Sequence, residues 1–195
     1  MNLNEIATFF DQRASGWDAQ RQPDESIVNA ILDIAGIQAG TTVLDVGCGT
    51  GVLFPYYLAR GASQITGVDL SSGMIARAAG KFAGPHVKFV CADATNTTFA
   101  PHARCMVFNA LPHFISPEAL VTSLAGSLLP GGRLTIAHGE SRRYINNHHV
   151  SRAPEVSHGL IPAAVLAGFF EACFTVDAVV DSDEFYAVSG TLKPR

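Results

Sequence analysis

The nine residues VLDVGCGTG, 43 to 51, constrain this chain more than any other stretch. A short apolar run leads into three glycines at alternate positions, and the helix-like segment VLFPYYLAR follows. Glycine lets a backbone turn sharply and lie close to a ligand, and a helix opening behind the turn presents unpaired N–H groups. Strand, glycine turn and helix in that order predict a nucleotide site at the carboxyl end of a parallel sheet.

The rest of the chain fits such a sheet. Short apolar, β-branched runs recur at TTVLDV (41–46), QITGVDL (64–70), VKFVCAD (87–93), CMVFNAL (105–111) and GRLTIAH (132–138). Near-continuous apolar character predicts strands buried on both faces. Between them SSGMIARAAGKF and SPEALVTSLAGSLL read as helices, N-capped by Ser71 and Ser116, with Pro117 at the first helical position and a PGG stop after the second. AAVLAGFFEA adds a helix, and the two β-rich runs after it, separated by Asp181, Ser182 and Asp183, are too close for a crossover and should pair antiparallel. The expected fold is an α/β Rossmann-like three-layer sandwich on a seven-stranded, mostly parallel sheet.

At 195 residues, 48% hydrophobic and 15% charged, the chain is expected to form one domain, 1–195, with a sizeable core. A formal charge of -4 without basic clusters argues against nucleic acid, and no leader or membrane-spanning run is visible, so a cytoplasmic protein acting on a small molecule is expected. Cys48, Cys91, Cys105 and Cys173 are isolated and read as reduced core thiols.

Two nucleotide readings compete at the glycine loop. A dinucleotide site needs an acid about twenty residues on to hold a ribose, and Asp69 meets that need. Asp45, two residues before the first glycine, would repel a diphosphate but attract an ammonium. Adenosine at one end and an ammonium at the other describe S-adenosylmethionine. Asp45, Gly47, Cys48, Gly49 and Gly51, then Asp69 in VDLSSGMI and Asp93 in CADA, closely resemble the class I S-adenosylmethionine-dependent methyltransferases over residues 40 to 138. That resemblance implies Asp69 on the ribose hydroxyls, Asp93 on the adenine amino group, Leu70 and Met74 flanking the nucleoside, Ala94 giving a backbone N–H to the ring, and Asn109 lining the methionine end. It departs where the family has an Asp at the start of the fourth strand; here Ala103 and Arg104 stand there.

The stretch 138 to 158, HGESRRYINNHHVSRAPEVSH, holds four of seven histidines. Together with His113 and Phe114 it resembles a group of small methyltransferases in the placing of His138, Arg142, Asn146, His149, His158, Leu160 and Pro162. The resemblance brings no acceptor with it. Three readings stay open: a solvated connection with a short helix, a substrate-side insertion (139–161) with Arg142 or Arg143 as anchor and His113, His138, His149 or His158 as base, or a metal site. No spacing matches a short zinc pattern, and no metal ligand is assigned. A metal-assisted thiol methyltransferase and a non-catalytic S-adenosylmethionine- or NAD-binding module are the alternatives. His86 and His102 read as surface residues, and residues 1–35, with Phe9, Phe10 and Trp17, as a helical lid or as edge packing.

Overall fold

The computed structural model describes residues 2–19, 23–152 and 155–194, with side chains described outside 148–152. Seven strands form one sheet: β1 (Thr42–Val46), β2 (Gln64–Asp69), β3 (Val87–Cys91), β4 (His102–Phe108), β5 (Leu128–His138), β6 (Phe174–Asp181) and β7 (Tyr186–Leu192). Their spatial order is β3-β2-β1-β4-β5-β7-β6. β1 to β5 pair in parallel, and β7 enters antiparallel between β5 and β6, as the short turn at Asp181 to Asp183 predicts.

The helices are α1 (Leu3–Arg13), α2 (Glu25–Ile34), α3 (Phe54–Ala59), α4 (Ser72–Lys81), α5 (Pro117–Ala125), α6 (Arg142–Arg152) and α7 (Ala163–Phe170), with 3-10 turns at Ala14–Ala19 and Leu111–His113. Strand side chains alternate between faces. On one face Leu44, Val46, Val107 and Ile136 pack with Leu120 and Leu124 of α5 and Leu166 and Phe170 of α7. On the other, Val43, Ile65 and Met106 pack with Ile31 and Leu32 of α2 and Phe54 and Tyr57 of α3. That is the expected three-layer sandwich.

Ser71 and Ser116 cap α4 and α5 as expected, accepting from Met74 N (3.0 Å) and Ala119 N (3.1 Å). α5 stops at Ala125, and the PGG segment lies within β5, where Gly131 takes φ 70°. β4 starts three residues earlier than its apolar run suggests. Its first residue, His102, is buried rather than on the surface, with Nε2 2.9 Å from Thr66 Oγ1. A cross-sheet hydroxyl partners Nε2, while Nδ1 makes no well-formed hydrogen bond among the described residues, and sequence spacing does not display such a partner. Where the family's Asp is missing, Ala103 N donates to Thr42 Oγ1 (2.8 Å) and Arg104 Nε to Gly36 O (3.1 Å), so the loop is pinned by other groups. β3 is an edge strand and half-exposed, not buried on both faces. Cys91 at its end is therefore exposed, whereas Cys48 and Cys105 are buried and Cys173 is intermediate.

Candidate active site

One cavity of about 870 Å³ runs along the carboxyl ends of β1, β2, β3 and β4, within the range of small-molecule sites. Its first half is lined by Gly47, Gly49, Gly51, Asp69, Asp93 and Met74. Gly47, Gly49 and Gly51 have φ of 68°, 54° and 86°, the left-handed region in which a Cβ is strained. At Gly49 the nearest atom to an added Cβ is Trp17 Nε1 at 3.9 Å, so the backbone there lies open to the cavity. A Cβ on Gly47 would stand 2.6 Å from the Ala110 methyl.

Asp69 is tied to the loop and to α4. Its Oδ2 accepts from Gly49 N (2.8 Å) and its Oδ1 from Ser71 N (2.9 Å). Each oxygen keeps a lone pair, so two vicinal hydroxyls can be bound at once. Burial raises the Asp69 carboxyl, and the N–H groups of Ser71, Gly49 and Leu70 oppose the rise. Asp93 is held by Thr95 N (2.9 Å) on Oδ1 and Asn96 Nδ2 (2.6 Å) on Oδ2. Thr95 Oγ1 lies near both oxygens, and one further N–H can be accepted at Oδ2. Leu70 and Ala94 line the same half, and the Ala94 side chain is buried.

Two residues of the fingerprint sit differently from the expectation. Asp45 is 2% exposed and is not on the cavity wall. It shares the β1 face of Val43, which turns toward α2 and α3 instead of the ligand. Burial pushes its carboxyl up to about 7, the Tyr57 hydroxyl opposes this, and the Asp69 charge adds to it. The Tyr57 hydroxyl makes no well-formed hydrogen bond among the described residues. Asp45 therefore lies beneath the glycine loop and not on the cavity wall. Cys48 likewise borders the cavity while its thiol packs in the core, 3.0 Å from where a Gly67 Cβ would be. Burial raises that thiol well above its ordinary value, so it is an inert one.

The N-terminal segment closes over this half. Asp11 Oδ1 of α1 accepts from Ser71 Oγ (2.6 Å) and Gly73 N (2.8 Å) at the start of α4. Asp18 Oδ1 accepts from Thr50 Oγ1 in the glycine loop (2.6 Å) and from Lys81 Nζ (2.9 Å). Trp17 and Phe10 line the cavity from above.

The second half is apolar, with Ile6, Phe10, Phe114, Ile115 and Tyr144 on its walls, and its polar side chains include Asn109, His113 and Glu140. Leu3, Ile115 and Tyr144, which border it, are among the exposed large hydrophobic residues of the chain. His113 sits on the 3-10 turn after β4, its Nδ1 2.8 Å from Val156 O. A carbonyl oxygen only accepts, so Nδ1 carries a proton. Asn109 has φ 54°, rare for a residue with a side chain, and its Oδ1 accepts from Gly139 N (2.9 Å), which turns the amide NH₂ away from that contact.

Other expected residues do not meet there. His138 is 2% exposed, packed edge-on against Tyr186 with centroids 6.0 Å apart, and is not on the cavity wall. Arg142 Nε binds Asp181 Oδ2 (2.8 Å) at the end of β6, so it fastens α6 to the hairpin and does not face the cavity. Asn146 brackets Leu160, donating to its O (3.1 Å) and accepting from its N (2.6 Å). His158 is exposed and away from the cavity; its N donates to Pro112 O (2.8 Å). The His148 and His149 side chains lie outside the described residues. Among the described residues, no group of three or more His, Cys, Asp or Glu is placed to hold a metal ion. Glu140 and Tyr144 were not singled out by the sequence reading; the available signal was their place just beyond β5, where crevice ligands lie.

Residues 43–132 match the methyltransferase domain family. The chain is 34% identical over 132 residues to malonyl-[acyl-carrier protein] O-methyltransferase of Acetivibrio thermocellus, covering 66% of this chain and 47% of that protein. It is 28% identical over 141 residues to demethylmenaquinone methyltransferase of Paenarthrobacter aurescens, covering 69% and 54%. The chain thus spans about half the length of these curated relatives. In fold it is similar to a chain of the complex between the Haloferax volcanii Trm112 methyltransferase activator and a methyltransferase, with TM-score 0.80, 15% identity, and 100% and 99% of the two chains covered. With the strand order, the glycine loop and the acids at or just after the ends of β2 and β3 already placed, these matches support a class I S-adenosylmethionine-dependent methyltransferase domain over residues 43–132.

Proposed function

We propose that this chain transfers the methyl group of S-adenosylmethionine to a small, largely apolar acceptor, with His113 as the base. The observation that carries this reading is the continuity of one cavity from Asp69 and Asp93 to His113 and Asn109. The residues present suit the cofactor: an open glycine backbone at Gly49, two lone pairs on Asp69 for a ribose, and one remaining acceptor on Asp93 for an exocyclic amine. Leu70 and Met74 would flank the nucleoside, the Ala94 N–H would meet the ring, and Asn109 would border the methionine end.

S-adenosylmethionine supplies a methyl group on a sulfonium, which moves to a nucleophile in line while sulfur keeps the bonding pair. The chain's own work is alignment, exclusion of water and removal of one proton. Phe10, Trp17 and the rest of the N-terminal cover keep water from the cofactor half. Phe114, Ile115 and Tyr144 hold the acceptor by its apolar body, and His113 Nε2 takes the proton from its nucleophilic atom. Asp45 lies below the loop and gains its charge only as pH rises through about 7, so its pull on the ammonium end grows above neutrality. Arg142 and His138 serve the frame. The two relatives are named for unlike acceptors, so the apolar walls guide the choice of acceptor more than the names do.

Calorimetry with S-adenosylmethionine, S-adenosylhomocysteine and NAD tests the cofactor, and NAD binding without the other two would sink the assignment. A screen of phenols, amines and thiols with labelled cofactor tests the acceptor. Transfer only to strongly anionic, polar acceptors would overturn the apolar reading. Metal analysis of the purified protein separates the metal-assisted alternative, which requires stoichiometric zinc or iron.

A further inference from the structure

Three exposed large apolar side chains of this protein meet at one place. Leu3 on α1, Ile115 just before α5 and Tyr144 on α6 are each exposed, and all three border the cavity. Residues that line a cavity and also face solvent stand at its mouth. Single exposed hydrophobic residues are ordinary on a surface, but a group of them drawn from distant segments to one mouth marks where something apolar rests.

One of the three belongs to a longer track. Leu3, Ile6 and Phe10 of α1 all line the cavity, and their spacing of three and then four puts them on one face of the helix. Asn4, Glu5 and Thr8, on the other side, are exposed. Along the apolar face the surroundings change in order. Phe10 lies at the seam of the two halves, its ring 5.5 Å from Trp17 on the cofactor side and 4.9 Å from the His113 ring on the acceptor side. Ile6 is buried, and Leu3 reaches solvent. At about 1.5 Å of rise per residue, Phe10 and Leu3 are about 10 Å apart along the helix. The track is fixed in place, because Asp11 Oδ1 accepts from Ser71 Oγ and Gly73 N, and Asn2 and Glu5 cap the first turn.

We infer that the methyl acceptor carries an extended apolar chain, which lies along the Leu3, Ile6 and Phe10 face of α1 and leaves the protein past Ile115 and Tyr144. An extended chain advances about 1.2 Å per bond, so a track of about 10 Å takes about eight bonds. The inference rests on the proposed function for placing the reacting head beside His113, and it adds a length and a direction for the rest of the acceptor. A compact acceptor would rest within Ile6, Phe10 and Phe114 and would leave Leu3 and Ile115 in water. A longer chain covers them, and each methylene so buried adds about fourfold in affinity, the equivalent of about 0.8 kcal/mol.

The test is calorimetry of straight-chain 1-alkanols, from butanol to decanol, on the full chain loaded with S-adenosylhomocysteine to fill the cofactor half. Affinity is expected to rise about two- to fourfold per methylene until the chain reaches Leu3, near octanol, and to flatten beyond it. Leu3 and Ile115 are exposed, so Leu3→Ser and Ile115→Ser should cost the fold little. Each should leave butanol affinity at the wild-type value and weaken octanol by about threefold or more. Leu58, exposed but outside the cavity, is the control, and Leu58→Ser should change neither. A series that is flat from butanol to octanol would overturn the proposal; if the protein is also retained on phosphatidylcholine vesicles and Leu3→Ser is not, the rim belongs to a membrane surface instead. Unchanged octanol affinity in Leu3→Ser would overturn the path along α1, and unchanged affinity in Ile115→Ser would overturn the exit. Failure of wild type to bind S-adenosylhomocysteine would instead overturn the proposed function, and the alkanol series on the unloaded chain would still read the track.

Discussion

The two halves of the cavity are built in different ways. In the cofactor half each acid ends or closely follows a strand and is held by groups two or three residues further on, Asp69 by Ser71 and Asp93 by Thr95 and Asn96, with Gly49 of the glycine loop adding to Asp69. In the acceptor half the polar groups His113 and Asn109 depend on distant segments, on Val156 and Gly139. The two acids of the first half are set mainly by their chain neighbours, although the N-terminal segment covers them from afar. The second exists only once the N-terminal helix, the turn after β4, and the segment after β5 have come together. Local construction suits a ligand that never changes, and assembled construction suits one that differs between relatives.

Substitutions can break or sharpen that contrast. The largest effect is expected at the acceptor end: His113→Gln should lower turnover by about 10²–10⁴-fold, the usual contribution of a general base, while S-adenosylhomocysteine affinity stays near wild type. An equal loss of cofactor affinity would mean the halves are not separable. At the other end, Asp69→Ala removes two charge-assisted contacts to a ribose, and calorimetry should show affinity weakened by about 10²-fold or more.

The next effect concerns Asp45 and pH. Its carboxyl ionises near 3.8 in the unfolded chain and only at about 7 when folded, so the folded state holds the proton between those values. Stability from this group is full below pH 4 and is lost as pH rises to 7, by an order of about 4 kcal/mol. Urea unfolding of the ligand-free protein at pH 5 and pH 8 should show a smaller difference for Asp45→Asn than for wild type. The smallest effect is expected at Arg142. Its ion pair with Asp181 is partly exposed, so Arg142→Ala should cost at most about 1 kcal/mol in unfolding and leave acceptor KM unchanged. A large rise in KM would return Arg142 to the acceptor site.

The same contrast explains what could be read in advance. The five parallel strands, the closing hairpin and the acids Asp69 and Asp93 are each marked by residues adjacent in sequence, and both acids line the cavity. Arg142, Asn146 and His138 carry the right chemistry on the right segment. Their partners, Asp181, Leu160 and Tyr186, are 39, 14 and 48 residues away or more, and pairing at that range has no local signature. Asp45 is a different case. Its distance from Gly47 suggested the ligand, but strand alternation already placed it with Val43, on the face covered by α2 and α3. His102 shows the converse, a polar side chain drawn into the sheet by one threonine.

Gly47 and Ala110 both border the cavity, one after β1 and one after β4, and a methyl group added to the first would collide with that of the second. The glycine loop after β1 and the turn after β4 are therefore seated against each other with no room for a further carbon, and how closely the two strand ends approach is set by what is missing from two side chains. A larger side chain at residue 110 would prise the loop away from the turn and with it shift the backbone that lines the cavity.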